Sequence, residues 1–331
     1  MTASMQVMAD VEPDRRLYLG GSDAAAIMGV GAYGRTPLVC YRAKVGESIE
    51  VMDAEKRRFL ERRKRWEGPI FEMLREEFDA EIVAINRRLV DPEFDFMAAE
   101  IDFEWIDRDG STQNGEVKTV SPFAFGERAG WGEAGSSDIP VHYAAQVMWG
   151  LMVTGRRTCI VGAMIGLDSF VFYRIERDEE TITAMRAAAL DFWREHVLKR
   201  VPPEPISLAD VLSLTIKMTG RPVALDASAL ASIRKIKQIR DSKKAMDTEI
   251  EELEFLVFDF IRQAWALPTT EADQLPTENA VLTFDGHTVG TWARQRGASL
   301  DQKRLKSAHP GIVAEFTREH FFRTLRFMRP A

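Results

Sequence analysis

Residues 98–106, AAEIDFEWI, and 113–120, QNGEVKTV, read as two strands joined through Asp107-Arg108-Asp109-Gly110, a sequence suited to a tight hairpin turn. This stretch constrains the fold more than any other, because it is apolar enough to lie inside and yet carries acids. Met97, Ala98, Ala99 and Ile101 make the first strand a core strand. Side chains alternate between the faces of a strand, so Glu116 and Lys118 project to one side and Val117 packs on the other. Asp102, on the partner strand, can face Glu116 if the register permits. Acids held in such surroundings need a partner or a metal ion.

The flanking sequence alternates between helix and strand patterns. Gly20-Gly21-Ser22-Asp23 opens a small-residue helix with Ser22 or Asp23 as N-cap. A second helix is expected over 55–79, where Ile70, Phe71, Leu74 and Phe78 recur at helical spacing. Residues 82–90 form a strand pattern. Pro140 precedes an amphipathic helix over 141–154, ended by Gly155. Strands over 158–166 and 169–176 and a long helix over 178–198 follow. This order predicts an α/β fold in which helices flank a mixed β-sheet. The segment VPPEPI, 201–206, has three prolines in six positions and marks a linker. It divides the chain into a domain over 1–205 and a mainly helical region over 206–331.

In that second region residues 224–266 form one helical pattern. Ile236, Ile239, Lys243, Met246, Ile250, Leu253, Val257, Phe260 and Ala264 step alternately by three and four, a heptad seam broken by Lys243. Such a seam packs against its own domain or forms an intermolecular coiled coil. A small β element, AVLTFDGHTVGTWARQ, and a short basic helical tail complete the chain.

Composition excludes several classes. No apolar run approaches the roughly 20 residues of a membrane span, and the N-terminus lacks an apolar export signal, so a cytoplasmic protein is expected. Cys40 and Cys159 are the only cysteines, which rules out a disulfide framework, a four-cysteine zinc site and an iron–sulfur cluster. A nuclease of CRISPR adaptation with such a cluster is excluded with them. The five histidines have no zinc-ligand spacing. Trp105 and Trp131 are core candidates that could alternatively stack on bases. The net charge is −7, which argues against nucleic acid until its distribution is considered. Lys56–Arg65, KRRFLERRKR, sets seven bases against one acid. This run is either a solvated helix face or a local phosphate-contacting surface.

Two carboxylates and an ammonium converging at the hairpin suit phosphodiester hydrolysis. Asp102 and Glu116 would bind Mg²⁺, with Mn²⁺ able to substitute, and leave positions for water and a phosphate oxygen. Lys118 would orient or deprotonate the attacking water, or stabilise charge on the phosphorane. This D-(x13)-E-x-K arrangement resembles the PD-(D/E)xK type, though hairpins with a surface salt bridge match the same spacing.

Landmarks in fixed order make the resemblance specific: LGGSDAAAIMGVGAYGRTPLVCYRAKVGE, EGPIFEMLREEF, AAEIDFEW with GEVKT, IPVHYAAQVMWGLMVTG and YRIERDEE. Over about residues 15–200 the chain resembles the YqaJ-type viral recombinase family, related to lambda exonuclease. GTWARQRGASLDQKRLKSAHPGIVAEFT is similar to tails that follow this domain in phage proteins. The resemblance implies a restriction-endonuclease-like core. It implies metal ligands at Asp102, Glu116 and the Val117 carbonyl, a catalytic lysine at Lys118, and a helix glutamate at Glu72 that completes the acidic pocket. Gln146 would lie near the metal or the scissile phosphate. Tyr143, on the same helix, reads as packing.

Ser22 would hold the DNA 5′ phosphate, with Arg15 or Arg16 beside it. Glu100, where relatives commonly carry a small or amide residue, is either a third acid in the site or a solvated residue at the strand entrance. The implied activity is 5′-to-3′ digestion of linear double-stranded DNA for a single-strand annealing partner, by copies that can form a ring, in a bacterial host cytoplasm. The rival readings are a structure-specific or restriction-like endonuclease and a non-catalytic DNA-end or partner-binding protein.

Overall fold

The computed structural model describes residues 14–47, 54–78, 81–166, 169–215, 223–265, 279–293 and 297–317. The N-terminal stretch read for an export signal and the end of the basic tail lie outside these residues. The chain forms two compact units, Met1–Thr215 and Ile216–Ala331.

In the first unit a five-stranded sheet runs in sequence order. Strands β1 (Glu81–Val90), β2 (Ala98–Ile106) and β3 (Thr112–Val120) form an antiparallel meander. The β2–β3 turn is the expected Asp-Arg-Asp-Gly, with Gly110 at φ 79, a left-handed conformation that glycine adopts without strain. Strand β4 (Thr158–Ile165) pairs parallel to β3, and β5 (Ser169–Glu176) pairs antiparallel to β4. A parallel step requires a crossover. Helix α5 (Val141–Thr154) supplies it and ends, as expected, at Gly155 in the left-handed region.

The sheet is mixed and covered on both faces. On one face α5, the short helix α1 (Gly21–Ile27) and α6 (Glu179–Asp191) build the main core around Trp149, Leu151, Val161 and Tyr173. On the other face Ile70, Phe71 and Leu74 of α4 (Glu67–Phe78) meet Phe103, Trp105, Val117 and Ile160. The expected helix over 178–198 is α6 continued by a π-helical stretch, Phe192–Leu198.

Three expectations meet a different outcome. The single helix over 55–79 is two, α3 (Ala54–Lys64) and α4, parted at Arg65-Trp66. Pro69 is the reason: it has no N–H to offer a carbonyl one turn back, so it is tolerated only in the first turn of a helix, where it lies. A helix not foreseen, α2 (Pro37–Lys44), starts from Thr36, whose side chain accepts from the Val39 N–H, with Pro37 in first position. The first unit also extends beyond the proline segment to include α7 (Leu208–Thr215). There buried Asp210 accepts from Thr36 Oγ1 at 2.7 Å, and Arg42 donates to Ser213 at 3.0 Å.

The second unit holds the long helix α8 (Ala227–Ala264), capped by Asp226. The hairpin of β6 (Ala280–Phe284) and β7 (His287–Trp292) follows, then the short helices α9 (Gln302–Ala308) and α10 (Pro310–Phe316). Among the described residues, no helix is long and apolar enough to cross a membrane.

Candidate active site

The site forms where the β2–β3 pairing stops. The ladder runs from Ile106–Thr112 to Phe103–Gly115, and the next pair in register would be Asp102 and Glu116. Instead Asp102 Oδ2 accepts the Val117 N–H at 2.8 Å, a side chain taking the place of a backbone carbonyl. The strand turns over at the same point. Ala99 and Ile101 pack in the main core, whereas Phe103 and Trp105 pack on the α4 side. Strict alternation would have kept all four on one face, so Asp102 marks the switch. Gly115 makes the final pair possible. The Phe103 ring lies over it, and a Cβ there would sit 2.1 Å from the ring.

Glu116 and Lys118 project together from β3, as alternation predicts, while Val117 is buried beside Phe71. Lys118 Nζ donates to Glu116 Oε1 and, at 3.1 Å, to Gln146 Oε1; Gln146 Nε2 donates to Glu116 Oε1 at 2.6 Å. Gln146 thus bridges acid and lysine from α5. Its place depends on Gly21, where a Cβ would lie 3.1 Å from Gln146 Cγ. Tyr143, one turn earlier on α5, packs on Trp131 and presents its ring to the Lys118 ammonium at 5.0 Å.

Burial raises the Glu116 carboxyl to about 7, with the Asp102 charge adding to the rise and Lys118 opposing it. Asp102 is also raised, first by burial, against the pull of Lys118 and the Val117 N–H. For Lys118 burial acts to lower the pKa, but Glu116 and Asp102 outweigh it, and the net shift is upward.

The helix glutamate differs from expectation. Glu72 is exposed and paired with Arg75 at 2.8 Å, away from the acid pair. Glu67 instead feels the Asp102 charge: its carboxyl is raised by burial and by Asp102, while Lys64, Asn86 and Lys118 oppose. Helix arithmetic explains the exchange. Glu67 stands three and four residues before the buried pair Ile70 and Phe71, on the face turned to the sheet, and Glu72 does not. Asn86, unforeseen, sits in β1 across from Asp102 with φ 51 and hydrogen-bonds Glu67. Asparagine is among the few residues that tolerate this left-handed conformation.

Ser22 and Arg15 come together. Arg15 Nη2 donates to Ser22 Oγ at 2.9 Å, whereas Arg16 is held by Asp14 at 2.6 Å. Of the two arginines, Arg15 is the one that meets Ser22. The N-cap of α1 is Gly20, neither Ser22 nor Asp23 as expected; Asp23, at the third helical position, accepts the Gly20 N–H through Oδ2 at 3.0 Å. Beneath it the buried Lys44 ammonium donates to Arg15 O, Tyr18 O and Asp23 Oδ2 at 2.8, 2.6 and 2.7 Å. Arg88 adds a further charge over the Tyr18 ring at 4.4 Å. Glu100 is exposed at the entrance, accepting from Tyr18 Oη at 3.1 Å, so it lies outside the acid pair. One cavity of about 90 Å³ is lined by Arg15, Ser22, Glu100, Glu116 and Gln146 together.

Residues 12–157, which contain every one of these side chains, match the YqaJ-like viral recombinase domain. Over those residues the first unit is similar to that recombinase domain. A protein of Bacillus subtilis strain 168, YqaJ, itself uncharacterized, is 26% identical over 326 residues, 94% of this chain and 91% of its own length. Among solved structures, the chain is similar to an alkaline exonuclease, LHK-Exo, from Laribacter hongkongensis. That pair has 16% identity and a TM-score of 0.42, covering 56% of this chain and 93% of the other. A phage-related exonuclease from Haemophilus somnus 129PT has 12% identity and a TM-score of 0.37, with 56% and 97% covered.

The first unit offers a cation a partial cage. Among the described residues no three His, Cys, Asp or Glu side chains close around one point. Mg²⁺ does not need them, since it binds through one or two carboxylates and keeps several waters. A buried Glu116 raised by burial and by the neighbouring Asp102 charge, with Lys118 opposing, is a donor set that such a cation would relieve. Trp105 and Trp131 are buried in this domain and serve packing. Cys40 and Cys159 are buried and free.

Proposed function

We propose that the first unit is a Mg²⁺-dependent exonuclease that digests linear double-stranded DNA from 5′ ends and leaves 3′ single strands. One observation carries the reading: a single cavity joins Glu116 and Gln146 to the Arg15–Ser22 anchor. An end phosphate held at Arg15 and Ser22 would set the neighbouring phosphodiester toward Asp102 and Glu116, which explains a preference for ends.

Asp102, Glu116 and the Val117 carbonyl would hold the cation, with Glu67 rather than Glu72 as the outer acid. Bound there, Mg²⁺, or Mn²⁺ in its place, would supply Lewis acidity to a phosphate oxygen and lower the pKa of a water molecule. Lys118 keeps its proton because its pKa is raised, so it acts by donating to charge developing on the phosphate rather than as a base. Gln146 fixes Lys118 and Glu116 against one another. Helix α3 brings the basic run: Arg63 donates to Thr119 Oγ1 at 2.6 Å, beside Lys118, and Arg58, Arg62 and Arg65 line an open groove suited to duplex phosphates.

The partners on this reading are double-stranded DNA ends, a single-strand annealing protein that takes the 3′ strand, and further copies in a ring, acting in a bacterial host cytoplasm. The test is digestion of 5′-phosphorylated linear, 5′-hydroxyl linear and closed circular DNA side by side with Mg²⁺ or Mn²⁺. The expected order is phosphorylated over hydroxyl, with circles intact. Cut circles would replace the exonuclease with an endonuclease, and no release with either cation would reject hydrolysis.

A further inference from the structure

The second unit does not bury itself. Among its described residues only Ile261 and Ala280 are buried apolar side chains, too few to hold a folded unit by a core of its own. Its largest apolar surface lies along α8. Ile239, Met246, Ile250, Leu253, Val257 and Phe260 are exposed, Phe260 at 73%. They belong to the heptad seam, which runs from Ile236 to Ala264, about four heptads and long enough for a coiled coil. The β6–β7 hairpin covers a different face, where Phe258 and Trp265 meet Trp292 at ring distances of 5.8 and 5.9 Å.

Charge on α8 is divided by half. Residues 227–244 carry six bases, Arg234, Lys235, Lys237, Arg240, Lys243 and Lys244, and one acid, Asp241. Residues 245–264 carry six acids, Asp247, Glu249, Glu251, Glu252, Glu254 and Asp259, and one base, Arg262. Within a lone helix this is unfavourable, since like charges then recur at three and four residues, as at 234/237/240 and 247/251/254. It also places bases toward the N-terminal end and acids toward the C-terminal end, against the helix dipole. The pattern is explained by a second helix of the same sequence running the other way.

We propose that α8 pairs with α8 of a second copy of this chain as an antiparallel coiled coil. One register satisfies both seam and charge. Ile236 packs with Leu253 of the second copy, Ile239 with Ile250 and Lys243 with Met246. The same register brings Lys235, Lys237 and Arg240 level with Glu254, Glu252 and Glu249 of the second copy. A parallel pair would set bases on bases and acids on acids. The contact is two-fold and made by the second unit, so it is distinct from a head-to-tail ring and does not depend on nuclease activity.

Cysteine cross-linking on the full chain tests it. A mixture of Ile236→Cys and Leu253→Cys copies, oxidised together, is expected to give a disulfide-linked dimer, while neither variant alone does. In the antiparallel pair identical positions lie about 26 Å apart at 1.5 Å per residue, far beyond disulfide reach. Native Cys40 and Cys159 are buried and do not compete. Self-linking of Ile236→Cys alone would establish parallel pairing and overturn the proposal. No linked dimer in any mixture would overturn it in favour of a different partner for the seam.

Charge reversal gives an independent readout by sedimentation. Lys235→Glu/Lys237→Glu/Arg240→Glu and Glu249→Lys/Glu252→Lys/Glu254→Lys are each expected to lose self-association, and to associate when mixed. Loss without recovery on mixing would overturn the charge argument.

Discussion

The two units treat burial in opposite ways. The first takes charge inside: Asp23, Lys44, Asp91, Glu104, Glu116 and Asp210 are all buried. Most are answered locally, Asp23 by Lys44 at 2.7 Å and Asp91 by Arg186 at 2.8 Å. At Glu116 and Asp102 two acids share one lysine, and the imbalance is where chemistry is expected. The second unit leaves apolar side chains outside and spends its charges on a two-block helix. An unanswered charge within and an uncovered seam without are both costs that folding alone would not select. Each points to something the single chain must bind: a cation in one case, a second copy in the other.

The largest expected effect breaks the first half of that comparison. Asp102→Asn keeps an acceptor for the Val117 N–H but removes a buried like charge. Metal-dependent release of nucleotides should fall on the order of 10³-fold or more. Calorimetry without metal should find the variant more stable by about 1 kcal/mol, because the acid costs the fold what it gives the site. A less stable variant would mean that Asp102 is structural.

Next in size, Gly115→Ala drives a methyl group into the Phe103 ring. It should cost about 3 kcal/mol in urea unfolding, as overpacking does, with the matching surface changes on α8 costing far less.

Acidity sharpens the comparison further. The Glu116 carboxyl moves from an ordinary 4.5 up to about 7, so the folded chain holds a proton through that range which the unfolded chain has lost. Metal-free stability should therefore be greatest below 4.5 as far as this group decides it, and should decline as pH rises to 7. Cation affinity should move the other way, rising about tenfold per pH unit to a plateau above about 7, read by titration calorimetry. A flat profile would mean that the pair does not hold the cation.

The smallest effect separates two glutamates. Glu67→Gln should weaken Mg²⁺ binding roughly tenfold, in the range of neighbours that support a metal site, and Glu72→Gln should leave it unchanged. The reverse result would restore the expectation that Glu72 completes the acidic pocket.

What the sequence revealed depended on how local the physics was. Alternation along β3 was enough to set Glu116 beside Lys118 and apart from Val117. The turn residues fixed the hairpin, and the resemblance to the recombinase family, rather than periodicity, pointed to Gln146. Where a position depends on contacts distant in the chain, reading failed. Arg15 differs from Arg16 only through Ser22 and Asp14, which no spacing reveals. The turnover of β2 at Asp102 violates the alternation rule on which the reading relied. Glu67 was legible, since it shares a helix face with Ile70 and Phe71, but motif spacing drew attention to Glu72 instead. Pro69 was likewise in plain view and would have split the helix over 55–79.

The Val117 N–H occupies one oxygen of Asp102 at 2.8 Å. With one lone pair of that oxygen engaged, the other oxygen is the freer one, and a cation would meet this carboxylate mainly through it. Ca²⁺ commonly takes carboxylates through both oxygens and six to eight ligands, while Mg²⁺ accepts single-oxygen contacts in a strict octahedron. On the proposed metal-dependent reading, a backbone amide that engages one atom of one acid would favour Mg²⁺ over Ca²⁺, without any residue dedicated to discrimination.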